Sequence, residues 1–337
     1  MPYDRLGERL REGESPTFAT LPDGSVDHHC TLSTDAERLR TREAFGREVL
    51  HGERSAFHLR TDSTEPGGQA VNVAQQLHAL GGDVTCYGHL DDPVFADLPF
   101  RTVSMGDPAT VHAVDFADGD VMFVQRTPGE WTLADLEGVA DLGEVFGVDA
   151  VCCSNWDSFA GLETVFHHLA ERDLPRVPFV LDPGDVVGEP DEIEALLDAV
   201  GALRETFDVV YNANRAEVRE TAAVLPEFDP STSPTDADRL AAIREATGID
   251  ATVLHAADVA VVASSTGRET VENLRVDSPV RHTGGGDRFT GGLAYGLARG
   301  WDWPLALACG NACASYYVAT ATTGTPADVA GFLENGH

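Results

Sequence analysis

Apolar residues recur along this chain at two spacings, and the two spacings alternate. From residue 132 onward, apolar runs at Ala150 to Ser154, Pro178 to Asp182, Phe207 to Asn212 and Ala251 to His255 are separated by stretches of helical period. Such alternation predicts an α/β fold with a mostly parallel sheet covered on both faces. The first half reads differently. Thr17 to Thr20, continued by Ser25 to Leu32, predicts a first strand; residues 35 to 51 predict a helix and Ala56 to Leu59 a short strand. Val73, Leu77 and Leu80 share one face of a helix over Ala70 to Leu80, followed by a strand at Val84 to Gly88. Thr110 to Phe116 and Val121 to Gln125, joined across Asp118-Gly119, predict a hairpin. Residues 1 to 15 are charged and show no apolar period, so they are expected to form a loose extension before a single domain over 16 to 337.

One stretch stands out chemically: His282-Thr283-Gly284-Gly285-Gly286-Asp287-Arg288-Phe289. Phe289, Leu293 and Leu297 at helical spacing put the glycines at a helix start. Free N–H groups there, backed by the positive end of the helix dipole, make an anion site that glycine leaves open to close approach. A carboxylate, Asp287, stands inside it. An anion hole beside a carboxylate suits phosphoryl transfer, the hole holding the phosphoryl group while the carboxylate takes a proton from the attacking hydroxyl. A dinucleotide-dependent oxidoreductase is disfavoured, because the glycines come late and do not follow a first strand.

Charge changes the choice of partners more than the choice of fold. Asp and Glu total 56 against 23 basic residues, a net charge of −33, and every basic residue is Arg. At 42% hydrophobic residues the chain still has enough apolar surface for a core. Molar salt shortens the Debye length to roughly 3 Å and screens such self-repulsion, so the charge is read as adaptation to a salt-rich cytoplasm. It argues against nucleic acid and anionic membrane as partners. Six cysteines without Cys-x-x-Cys spacing are expected as buried, reduced side chains, and no stretch is long and apolar enough to span a bilayer.

The glycine stretch, read as Arg281-His282-Thr283-Gly284-Gly285-Gly286-Asp287-Arg288-Phe289, resembles the C-terminal signature of the ribokinase-like (PfkB) carbohydrate kinases, Asp-Thr-x-Gly-Ala-Gly-Asp-x-Phe. Gly67-Gly68-Gln69-Ala70-Val71-Asn72-Val73-Ala74 resembles the family's other signature, Gly-Gly-x-x-x-Asn-x-Ala. The resemblance covers roughly residues 17 to 333. It implies a three-layer α/β/α sandwich with a small β-sheet lid, formed by about 52–66 and 97–127, whose edges pair in a homodimer. It implies a cytoplasmic enzyme that uses Mg²⁺ and ATP, ADP remaining open as donor, to phosphorylate a small sugar or nucleoside. Carried over by position, Asp287 is the general base and Gly284, Gly285 and Gly286 the anion hole. Asp27, Gly67, Gly68, Asn72 and Asn155 meet the acceptor. Asn214, His255, Thr283 and Asn311 meet the nucleotide, and Glu217, in an Asn-x-x-Glu element, organises the metal. Two departures fall on the donor side: His255-Ala256-Ala257-Asp258 lacks the family's glycine, and Arg281-His282 replaces Asp-Thr. They keep open a sugar- or nucleoside-binding regulator of the same fold, or an ADP-dependent sugar kinase.

Overall fold

The computed structural model describes residues 2–13, 15–52, 56–126, 129–186, 188, 190–281 and 283–334. In chain order the first half contains α1 (Pro2–Arg9), β1 (Thr17–Leu21), β2 (Ser25–Ser33), β3 (Arg38–Leu39), α2 (Arg42–His51), β4 (His58–Gly67), α3 (Gln69–Ala79), β5 (Asp83–Gly88), β6 (Arg101–Ser104), β7 (Ala109–Phe116) and β8 (Gly119–Arg126). The second half contains α4 (Leu133–Glu137), α5 (Leu142–Phe146), β9 (Ala150–Ser154), α6 (Leu162–Ala170), β10 (Pro178–Asp182), α7 (Pro190–Leu203), β11 (Asp208–Asn214) and α8 (Arg215–Ala223). It closes with α9 (Asp236–Thr247), β12 (Ala251–His255), β13 (Val259–Ser264), β14 (Gly267–Glu272), α10 (Gly285–Ala298), α11 (Trp303–Thr320) and α12 (Pro326–Glu334).

Among the described residues, nine strands form the large sheet in the order β14-β13-β12-β11-β10-β9-β1-β5-β6. From β12 to β6 every pairing is parallel, and β13 and β14 add an antiparallel edge. Alternate residues of each central strand serve different cores. Val151 and Cys153 of β9 pack with α4 to α9, whereas Ala150 and Cys152 pack with α1, α3, α10, α11 and α12. Burial on both faces is why these strands are continuous apolar runs. All six cysteines are buried and free. Strand order departs from β1 in both directions, β5 on one side and β9 on the other, and such a switch point opens a crevice at the carboxyl ends of the strands.

The smaller sheet is the lid. β2 pairs antiparallel with β3 and β4 and parallel with β7, which forms the expected hairpin with β8. Its boundaries differ from expectation at two places. Ser25–Ser33 leaves the first strand and becomes the lid's centre, because Pro22-Asp23-Gly24 interrupts the ladder and Pro has no N–H to give it. Arg101–Ser104 joins the large sheet beside β5 instead of the lid. Cys30, Leu32, Leu39, Val114 and Phe116 make a small core under Phe45 of α2.

The N-terminal residues are a docked helix and not a loose extension. Leu6 is 0% and Leu10 4% exposed. Tyr3 donates its hydroxyl to the Glu272 carbonyl at 2.6 Å, Arg5 pairs with Asp302 at 2.8 Å, and the buried Arg299 reaches Glu12 at 3.1 Å. One leucine per turn docks a short helix without leaving a repeat long enough to read in a charged sequence.

Candidate active site

A cleft of about 790 Å³ lies between the lid and the carboxyl ends of β1, β9, β10, β11 and β12. Two helix starts supply its floor. At the first, Gly68 takes φ 99°, and a Cβ there would stand 2.8 Å from the Gly24 Cα. The N–H groups of Gln69 and Ala70 donate to the two carboxylate oxygens of Asp23 at 2.7 and 2.6 Å, and Asn155 Nδ2 donates to the same carboxylate at 3.1 Å. Asp23 thus fastens β1, β9 and α3 together. Burial pushes its carboxyl up to about 6, against these hydrogen bonds. Gly67 is required for a different reason: a Cβ would fall within the Asp27 carboxylate, which Ser25 Oγ also approaches.

The second helix start is α10, capped by Gly284 at φ 89°. Gly284, Gly286, Asp287 and Arg288 line the cleft. Asn72 Nδ2 donates to Asp287 Oδ2 at 2.8 Å, so the two glycine motifs meet through one hydrogen bond between residues 215 apart. Burial pushes the Asp287 carboxyl up to about 8, and Asp182 adds to the rise while Arg288 and Asn72 oppose it. Arg288, itself buried, donates to the Asn72 carbonyl at 2.6 Å and to Gln75 at 2.8 Å, and lies over the Tyr317 ring at 4.6 Å. This locked cation beside a raised carboxyl leaves Asp287 able to gain and lose a proton near neutrality.

At the carboxyl ends of β11 and β12 stand Asn214 and His255. Asn214 caps α8 in a reciprocal box with Glu217, which faces the cleft. Burial first, and Asp182 second, push the Glu217 carboxyl up to about 8, with Asp185 adding to it. Among the described residues no three His, Cys, Asp or Glu side chains converge as direct ligands of one ion. Mg²⁺ keeps most of its waters and needs only one or two carboxylates, and Glu217 with Asp185 is such a donor set, whose mutual repulsion a cation relieves. Two positions near the glycines reach the lid. Arg281 Nη2 lies 3.1 Å from His29 Nε2 on β2, and Thr283 donates to Asp120 in the hairpin.

The prokaryotic ketohexokinase family model matches residues 29–335. The chain belongs to the prokaryotic ketohexokinase family. It is similar to the ketohexokinase of Haloferax volcanii, 29% identical over 316 aligned positions, with 86% of this chain and 81% of that protein covered. Its fold is similar to that of Arabidopsis thaliana ribokinase complexed with ribose and ATP, at TM-score 0.66 and 16% identity over 95% of this chain and 99% of that one. Escherichia coli phosphofructokinase-2, in complex with substrates and products, matches at TM-score 0.66, with 15% identity over 95% and 99% of the two chains. Burkholderia thailandensis nucleoside kinase in complex with inosine matches at 0.64, with 18% identity over 95% and 98%.

For a carbohydrate kinase of this family, the cleft gathers most of the expected positions. Asp27, Gly68, Asn72, Asn155, Asn214, Glu217, His255, Thr283, Gly284, Gly286 and Asp287 all line it. Gly67 and Gly285 are one residue away, packed on Asp27 and Val318. Asn311 is a correction. It is fully buried outside the cleft, donating to Tyr3 Oη at 3.0 Å and to the Val271 carbonyl at 3.3 Å, because α1 covers that face of α11. His282 lies outside the described residues. The sequence reading missed Asp23, whose place just past β1 at the carboxyl edge was the available signal. It also missed Gln69, whose buried Oε1 has no partner among the described residues at the cleft wall. No helix among the described residues is long and apolar enough to cross a membrane.

Proposed function

We propose that this cleft transfers the terminal phosphoryl group of ATP to a hydroxyl of a ketohexose such as fructose, with Asp287 as general base. The observation that carries the reading is the Asp287 carboxyl, held between Asn72 on the acceptor side and the first amides of α10 on the donor side. Its raised proton affinity, about 8, suits a base that must take a proton near neutral pH. Amides of Gly284, Gly285 and Gly286 hold the developing negative charge without reorganising. Asp27, Gly67, Gly68, Asn72 and Asn155 orient the sugar. Asn214, His255 and Thr283 take the nucleotide. Glu217 and Asp185 hold Mg²⁺ through its waters, and the metal supplies charge neutralisation at the phosphates. The lid excludes water, a competing acceptor. Family membership and the Haloferax volcanii relative support the ketohexose. The lid's edge strand β4 is exposed from His58 through Glu65, and an edge of that length supports pairing with a second copy in a homodimer.

The test is phosphoryl transfer in molar KCl with Mg²⁺, scanning ketohexoses, ribose and nucleosides against ATP and ADP. Asp287→Asn should lose a factor on the order of 10²–10⁴ in kcat with a smaller change in KM. Near-wild-type turnover in that variant would remove Asp287 from the mechanism.

A further inference from the structure

His255 ends β12 at the donor end of the cleft, and its hydrogen bonds determine which ring nitrogen carries the proton. Asn212 Nδ2 donates to Thr290 Oγ1 at 2.8 Å, and the hydroxyl keeps its own proton for Asp182 Oδ2 at 3.0 Å or the Gly286 carbonyl at 3.1 Å. That orients Asn212 with Oδ1 toward the imidazole, 3.2 Å from Nδ1. A carbonyl oxygen has no proton to give, so with the amide in this orientation Nδ1 carries the ring proton. The ring is further held by stacking on Phe289, with centroids 5.1 Å apart at 27°.

The consequence falls on Nε2, which in this tautomer is a bare lone pair. It has no hydrogen-bond partner among the described residues, and it stands 3.1 Å from where a Cβ on Gly286 would be. The cleft opens there onto the glycine turn. A phosphate oxygen only accepts, so a lone pair facing it is repulsive until the ring gains a second proton.

We propose that His255 takes up a solvent proton on Nε2 as the donor nucleotide enters, and as an imidazolium donates to its phosphate. This rests on reading the cleft as a nucleotide-dependent kinase site. Of the charged groups that line the cleft with His255 (Asp182 at the end of β10, Asp185 beyond it, Glu217 on α8, and Asp287 and Arg288 on α10), Asp182 acts on the ring directly; Asp258 in the next turn is paired with Arg215. Burial holds the free ring neutral, with Asp182 opposing. The phosphate supplies the missing anion.

Calorimetric titration with ADP and MgCl₂ in molar KCl at pH 8, in buffers of different ionisation enthalpy, counts the protons taken up. Wild type should take up close to one proton more than His255→Gln, which keeps an N–H donor. Wild-type affinity for ADP should weaken by up to tenfold per pH unit above neutrality, and that of His255→Gln far less. Asn212→Asp, which places a carboxylate on Nδ1, should protonate the ring in advance and reduce uptake while keeping affinity. Equal proton counts in wild type and His255→Gln, with wild-type kinase turnover observed, overturn this proposal alone. Failure of ADP to bind wild type overturns the nucleotide reading together with it.

Discussion

Replacing Asp287 by asparagine should cost turnover and at the same time stabilise the protein. In the folded chain the Asp287 carboxyl is raised from 3.8 to about 8, chiefly by burial. Between those two values the unfolded chain has released the proton and the folded chain still holds it, so stability falls as pH rises across the window. About four pH units at roughly 1.4 kcal/mol each put the penalty on the order of 5 kcal/mol at pH 8 and near zero at pH 4. Asparagine can accept the same hydrogen bond from Asn72 through Oδ1 and carries no charge to desolvate. Thermal unfolding of both proteins in molar KCl, followed from about pH 4.5 to 8.5, should show curves that meet at the acid end and separate as pH rises, the variant higher. A variant no more stable than wild type at pH 8, or a difference that ignores pH, would show that Asp287 is not strained by burial. The general-base argument would then lose its physical basis.

Three further substitutions test how the site is held. Asp23→Asn leaves one acceptor oxygen for the two amides that begin α3; a loss of about 1–3 kcal/mol, with a raised KM for the sugar, is expected from urea denaturation and steady-state kinetics. Gly68→Ala should cost a similar amount, since φ is 99° and the new Cβ would meet the Gly24 backbone at 2.8 Å; an unchanged sugar KM would show that the turn is not part of the acceptor site. Leu6→Ala removes a side chain that is 0% exposed and should lower stability by about 2–4 kcal/mol with kcat unaffected, measured by thermal unfolding and turnover on the same preparation.

Much of the large sheet was legible because a strand buried on both faces leaves an apolar run that nothing else in the chain imitates. The runs at β9, β10 and β12 coincide with observed strands within a residue or two. Lid strands are harder to read. β4 is exposed at eight consecutive positions, so no apolar alternation marks it, and the sequence offered only the short run at Ala56 to Leu59. Helix α1 was illegible for the opposite reason: its stabilisation comes from two leucines and from polar contacts to residues some 270 to 310 positions away. Asn311 was misplaced by the same blind spot. Its spacing on α11 is that of a face open to a ligand, and only the long-range fold shows that Tyr3 has taken that face.

What joins the two readable motifs is the part no local pattern could carry. Asn72 and Asp287 belong to helices that pack on each other over one face of the sheet, and Asp23 pins the start of the first to β1 and β9 through Gln69, Ala70 and Asn155. Gly291 of α10, where a Cβ would stand 2.8 Å from Gln76, lets the two helices approach, while Asp23 and Asp287 fix the positions of their first turns. Five cleft acids, Asp23, Asp27, Asp182, Glu217 and Asp287, are raised by burial. A chain carrying −33 charges could spread them all over its surface, yet it keeps these five where burial strips away most of their hydration. On the proposed reading, this strain is relieved as the site gains protons and cations. The Asp287 titration and the His255 proton count test the two ends of that exchange independently.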